Sequence, residues 1–168
     1  MEIPQVSVNI YPDSGEERVM EISFTYVNGR DSLRNMQSIV APIFSAAELY
    51  VQGSEDNSQK YEQLYSFLME RFDYTIETSI TPTYSLLRYG VGDSKAFALV
   101  YSAMCQNASL ECRVISGTRN GEAYYWNQIN YDGTEYHVDL LACNDLGEFA
   151  VMNPSEMPGY VWDYSPEQ

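Results

Sequence analysis

The strongest constraint on this chain is a change of hydrophobic period close to residue 107. Before it, Phe97, Val100, Tyr101 and Met104 line one helical face, with Ala96, Leu99 and Ala103 beside them. A helix apolar on nearly every side belongs in an interior. After Gln106-Asn107 the period falls to two. Residues 111–117, 123–131 and 134–141 read as β-runs, separated by Arg119-Asn120-Gly121 and Asp132-Gly133. Asp-Gly and Asn-Gly between alternating runs signal two-residue hairpin turns. A buried helix followed directly by an antiparallel meander predicts an α+β fold, with the helix as the central element packed on the sheet. Gly90 and Gly92 flank Val91 just ahead of that helix, and Asp93 or Ser94 stands at its N-cap.

The segment in front supplies further elements. Val6, Val8 and Ile10 alternate with polar residues, Pro12-Asp13-Ser14-Gly15 marks a turn, and Met20, Ile22, Phe24 and Tyr26 alternate again, which predicts a hairpin closed by Asn28-Gly29. Leu33, Met36, Ile39 and Val40 recur at helical spacing up to Pro42, and Ile43, Phe44, Ala47 and Leu49 continue it, as one kinked helix or two short ones. Residues 52–60 are polar and glycine-containing and read as a surface loop. Tyr61, Leu64, Tyr65, Leu68 and Phe72 then form the stripe of a second helix. Around Pro82 the chain reads as irregular. At 168 residues the chain has the length of one domain. We expect residues 1–168 to form a single unit: N-terminal hairpin and helices over 1–60, a core over 61–145, and an aromatic segment over 146–168 docked on that core.

Charge and cysteine content exclude several function classes. Nine Lys and Arg against 24 Asp and Glu give a net charge of −15, which repels a phosphate backbone and removes the counterion-release drive for nucleic-acid binding. Anionic membrane surfaces are repelled likewise, whereas a basic partner or cationic wall polymer is attracted. The longest apolar stretch, residues 96–105, is half of what a membrane-spanning helix needs. Residues 1–10 have no basic start and no apolar core, so they are not expected to act as a signal peptide. Cys105, Cys112 and Cys143 have no metal-ligand spacing, so neither metal nor cofactor is expected. They read as buried thiols, with a Cys105–Cys112 bridge as the alternative.

Five spaced elements carry a resemblance: Gly90-Val91-Gly92-Asp93-Ser94-Lys95-Ala96-Phe97-Ala98, Val114-Ile115-Ser116-Gly117, Tyr124-Tyr125-Trp126-Asn127, Asp132-Gly133 and Tyr136-His137-Val138-Asp139. In this order they resemble the core of the transglutaminase-like superfamily, which has the papain-like cysteine hydrolase fold. The resemblance implies a Cys at position 94, where the helix N-terminus favours thiolate, a His base at 124 and an orienting Asp at 139. Here those positions hold Ser94, Tyr124 and Asp139. A hydroxyl gains little from a helix N-terminus without a base to take its proton. A phenol with an ordinary pKa near 10 is not a base at neutral pH. Ser94 is either natural or an engineered replacement of Cys, and Tyr124, an unusual choice for such a trap, points to natural degeneration.

The resemblance therefore implies a degenerate, non-catalytic member, with a peptide or cell-wall polymer as the partner class in the vestigial cleft. The alternative is a hydrolase or acyltransferase using Ser94. His137 shares a strand face with Asp139, but residues two apart on one strand sit about 7 Å from each other, so a relocated Ser94, His137 and Asp139 relay is disfavoured. Tyr124, Trp126 and His137 are the candidate ligand contacts. Met157-Pro158-Gly159-Tyr160-Val161-Trp162-Asp163-Tyr164 is too aromatic for a free tail. It resembles the end of transglutaminase-like surface proteins of Gram-positive bacteria, implying an extracellular or cell-envelope location.

Overall fold

A computed structural model describes residues 4–54 and 56–163. Residues 1–3 and Tyr164, the last of the aromatic run, lie outside them. Strands β1 (Gln5–Tyr11) and β2 (Val19–Thr25) form a two-stranded antiparallel sheet of their own. Helices α1 (Arg30–Val51) and α2 (Asn57–Met69) follow. Pro42 lies inside α1, which runs unbroken across it as one helix. Asp56 caps α2 by accepting the Ser58 N–H, so this helix starts four residues ahead of its apolar stripe. The segment around Pro82, expected to be irregular, is a third helix, α3 (Pro82–Tyr89), with the proline in its first turn, where its missing N–H costs nothing.

The central helix α4 (Ser94–Asn107) is capped by Asp93, whose Oδ1 accepts the Ala96 N–H at 2.9 Å. Ala96, Phe97, Val100, Tyr101 and Met104 are all buried, as their spacing predicts. The glycine ahead of it is dictated by contact. Strand β4 (Val91–Gly92) pairs in parallel with β3 (Asp73–Tyr74), and a Cβ on Gly92 would lie 2.8 Å from Ala96 Cβ and 3.2 Å from Leu86 Cβ. Nothing larger than glycine lets the chain turn from α3 into α4 at this distance.

Strands β5 (Cys112–Arg119), β6 (Glu122–Tyr131) and β7 (Thr134–Val138) form the expected meander. Both turns place two successive residues at positive φ, Asn120 with Gly121 and Asp132 with Gly133, the geometry that matches the twist of paired strands. β7 stops three residues short of its apolar run, because Asp139 caps a fifth helix, α5 (Leu140–Leu146). A two-residue strand, β8 (Tyr160–Val161), adds to the free edge of β5, giving the order β7-β6-β5-β8. Gly117 permits this, since a Cβ there would collide with the Val161 carbonyl oxygen and the Trp126 ring. The main core joins α1 to α5 with Ile129 and Val138 of the sheet, and a smaller one gathers Ile115, Trp126 and Met157. The three cysteines are free and buried.

Candidate functional site

Ser94 opens α4 and is 8% exposed. Its Oγ accepts the backbone N–H of Tyr125 at 3.3 Å. Among the described residues no hydrogen bond joins it to Tyr124, Asp139 or His137. A cleft of about 890 Å³ opens beside it, lined among others by Tyr74, Ile76, Lys95, Arg119, Tyr124 and Tyr125.

Asp139 is the centre of the polar network. Its side chain is 2% exposed, yet five donors meet it. Oδ1 accepts the backbone N–H groups of Leu141 and Ala142, each at 3.1 Å, and the Tyr124 hydroxyl at 3.1 Å. Oδ2 accepts the Tyr160 hydroxyl at 2.6 Å and lies 3.3 Å from Arg119 Nη1. Arg119 also donates to the Tyr124 hydroxyl at 3.2 Å, with its guanidinium 5.3 Å and 5.5 Å from the ring centres of Tyr124 and Tyr160. The phenol at position 124 thus fills the place of the expected base as a donor to the carboxylate. Burial, followed by the Asp139 charge, pushes its pKa above the ordinary value near 10. Tyr160 is raised by burial and by its bond to Asp139. For Arg119, burial is the largest influence and lowers the pKa, but the Asp139 carboxylate together with Tyr124 and Tyr160 outweighs it, and the pKa is raised.

Neither Arg119 nor Tyr160 stands out as a site residue in the sequence. Arg119 was accessible in principle. Once Asn120-Gly121 fixes the hairpin register, Gly117 lies opposite Tyr124, and Arg119 shares that face by alternation. Tyr160 had no local signal, since its position follows from β8 docking across Gly117.

Tyr124 alone of the three candidate ligand contacts lines the cleft. Trp126 and His137 are 1% and 2% exposed and are bonded to each other, with Trp126 Nε1 donating to His137 Nδ1 at 2.7 Å. They pack beneath Trp162, whose ring is 4.8 Å from the imidazole and 5.6 Å from the indole. This bond turns the accepting nitrogen of His137 toward the indole, and no relay to Asp139 forms. On the other side of β6, Asn127 Nδ2 donates to the Ala98 carbonyl at 2.9 Å and ties the sheet to α4.

Burial lowers the pKa of His137, with Glu135 partly opposing the shift. The unfolded chain therefore takes up its proton first as pH falls below about 6.5. The His137 contribution to stability is present above that pH and fades as pH drops toward the lowered folded value. The stability advantage of the native chain over His137→Asn, measured by denaturant midpoints, should shrink between pH 7 and 5. A difference independent of pH would show that His137 does not titrate with folding.

The sequence profile of the transglutaminase core matches residues 45–140, more than half of the chain, and the protein belongs to the transglutaminase-like superfamily. Among solved structures it is similar to a TGase at 8% identity and a TM-score of 0.54, over 81% of this chain and 43% of that one. It is similar to a candidate cysteine protease from Cytophaga hutchinsonii at 11% identity and a TM-score of 0.54, over 94% of this chain and 70% of that one. The periplasmic domain of TgpA from Pseudomonas aeruginosa aligns at 17% identity and a TM-score of 0.49, over 77% and 57% of the two chains. No curated protein matches. At their identities the TGase and the Cytophaga hutchinsonii structure show the fold alone, an α+β papain-like core. No described helix is long and apolar enough to cross a membrane.

Proposed function

We propose that this chain is a non-catalytic transglutaminase-like domain, a single unit over residues 1–168 that binds or scaffolds in a secreted or cell-envelope protein. The observation that carries this reading is the state of Asp139. Both of its oxygens are occupied by donors of the protein itself, among them Tyr124 in the place of the base. A nucleophile needs an adjacent base held by an orienting acid. Among the described residues Ser94 is bonded to neither, and its hydroxyl oxygen accepts from a backbone N–H.

The cleft beside Ser94 remains as a binding surface. Tyr124, Tyr125 and Tyr74 offer amphipathic rings, and Lys95 lies 5.2 Å over the Tyr125 ring. A peptide or wall polymer is the ligand class that such a wall accommodates, with ring faces for contact and charges of both signs, Asp93, Lys95, Arg119 and Glu122, among them.

The test is an assay of the unmodified chain for amine incorporation into glutamine peptides and for peptide hydrolysis, with Ser94→Ala in parallel. Equal, background rates are expected for both, and no adduct at Ser94 with serine-reactive probes by intact mass. Turnover abolished by Ser94→Ala would replace this reading with that of a serine hydrolase or acyltransferase.

A further inference from the structure

The β1–β2 hairpin is an amphipathic sheet whose apolar face is left exposed by the described residues. Its register pairs Val6 with Phe24, Val8 with Ile22 and Ile10 with Met20, so six apolar side chains form three rows on one side. The other side carries the pairs Gln5–Thr25, Ser7–Ser23 and Asn9–Glu21, with Asn9 bonded to Glu21 across the strands at 3.3 Å, and ends on the exposed Tyr11–Val19 pair. The six apolar residues are between 41% and 60% exposed. Among the described residues the sheet has two strands, β1 and β2. A lone two-stranded hairpin is at best marginally stable in water and needs a packed face.

We propose that this face is the interface with a second copy of the chain. Two hairpins facing one another about a two-fold axis across the strands put Val8 over Val8 and Ile22 over Ile22 of the copy. The Val6–Phe24 row of one then lies over the Ile10–Met20 row of the other. These two rows have similar summed volume, so the face is complementary to itself, as an isologous interface requires. The six side chains offer roughly 500–600 Å² of exposed surface per copy, so a pair buries about 1,000–1,200 Å², where specific interfaces begin. No charged side chain stands among the six, which removes any charge that would select a partner of opposite sign. Gln5 and Thr25, at the open end of the hairpin, line the cleft beside Ser94, so fixing the hairpin fixes one wall of that cleft.

Like charge on the two copies, −15 each, opposes pairing and is screened by salt. Dimerisation should therefore strengthen as salt is raised. Sedimentation and light scattering of the chain, up to about 100 µM, should show a doubled mass. Ile22→Lys should return it to the monomer, with a melting temperature equal to that of the native chain at dilutions where the native chain is itself monomeric, because no core packing is lost and only the mass-action gain of pairing disappears. The native cysteines are buried, so a thiol on the hairpin can be addressed selectively. Ile22→Cys should cross-link to its copy with a short bis-maleimide, while Ser7→Cys, on the polar face, should not. A monomeric mass at every concentration and salt, or a dimer that survives Ile22→Lys, overturns the proposal. So does a chain that stays monomeric while the hairpin face binds lipid vesicles.

Discussion

Replacing Asp139 by alanine should cost the fold about 3–5 kcal/mol, the range for removing one partner of a buried ion pair. The carboxylate is the common acceptor for five groups. Its loss leaves the tyrosine hydroxyls and the first N–H groups of α5 without their acceptor, and a guanidinium without its counter-charge. For a chain of this length the melting temperature should fall by about 10 °C or more, against a total stability of about 5–15 kcal/mol. Asp139→Asn should do less harm, since one oxygen can still cap α5. Tyr124→Phe should cost about 1–2 kcal/mol, two hydrogen bonds whose other partners, Asp139 and Arg119, still face each other. If Asp139→Ala were as mild as Tyr124→Phe, the cluster would not be a structural centre, and the case that Asp139 now serves the fold would fail.

Different parts of this architecture reach the sequence level to different degrees. The central helix and the meander were legible because burial is written in period, 3.6 for the helix and 2 for the strands, and because Asn120-Gly121 and Asp132-Gly133 fix turns by their conformational freedom. Asp139 as the surviving acid followed from the resemblance. Its role as a helix cap did not, since Leu140 and Leu141 continue an apolar run that strand and helix share. α3 was hidden because Pro82 reads equally as a breaker and as a first-turn residue. Tyr160 comes to Asp139 across 21 positions of chain, and local pattern carries no information over that distance. Arg119 lies between these cases. The alternation that places it on the Tyr124 face was available, but its partner became apparent only with the geometry of the carboxylate.

Arg119 changes what repairing the site should achieve. Ser94→Cys alone places a thiol at a helix N-terminus without a base, and Tyr124→His alone supplies a base with only a hydroxyl to activate. Because triad members act as a unit, each single change should leave acyl transfer at background. The double change restores Cys, His and Asp, and a histidine at 124 could donate to the Asp139 oxygen that Tyr124 now holds. Arg119 Nη1, however, lies 3.2 Å from the Tyr124 hydroxyl, and it would face the new imidazole. A like charge that close lowers an imidazolium pKa by about one to three units, which empties the thiolate–imidazolium pair. Adding Arg119→Met should therefore raise amine incorporation over the double variant by about tenfold or more. The pH profile of thiol alkylation should shift in parallel, reporting a more basic histidine. Asp139 would keep Tyr160 and the two N–H groups of α5, so the triple variant should stay folded, as its melting curve would show. Equal rates for double and triple variants, with both folded, would mean that Arg119 does not oppose the base and that the site was silenced by positions 94 and 124 alone.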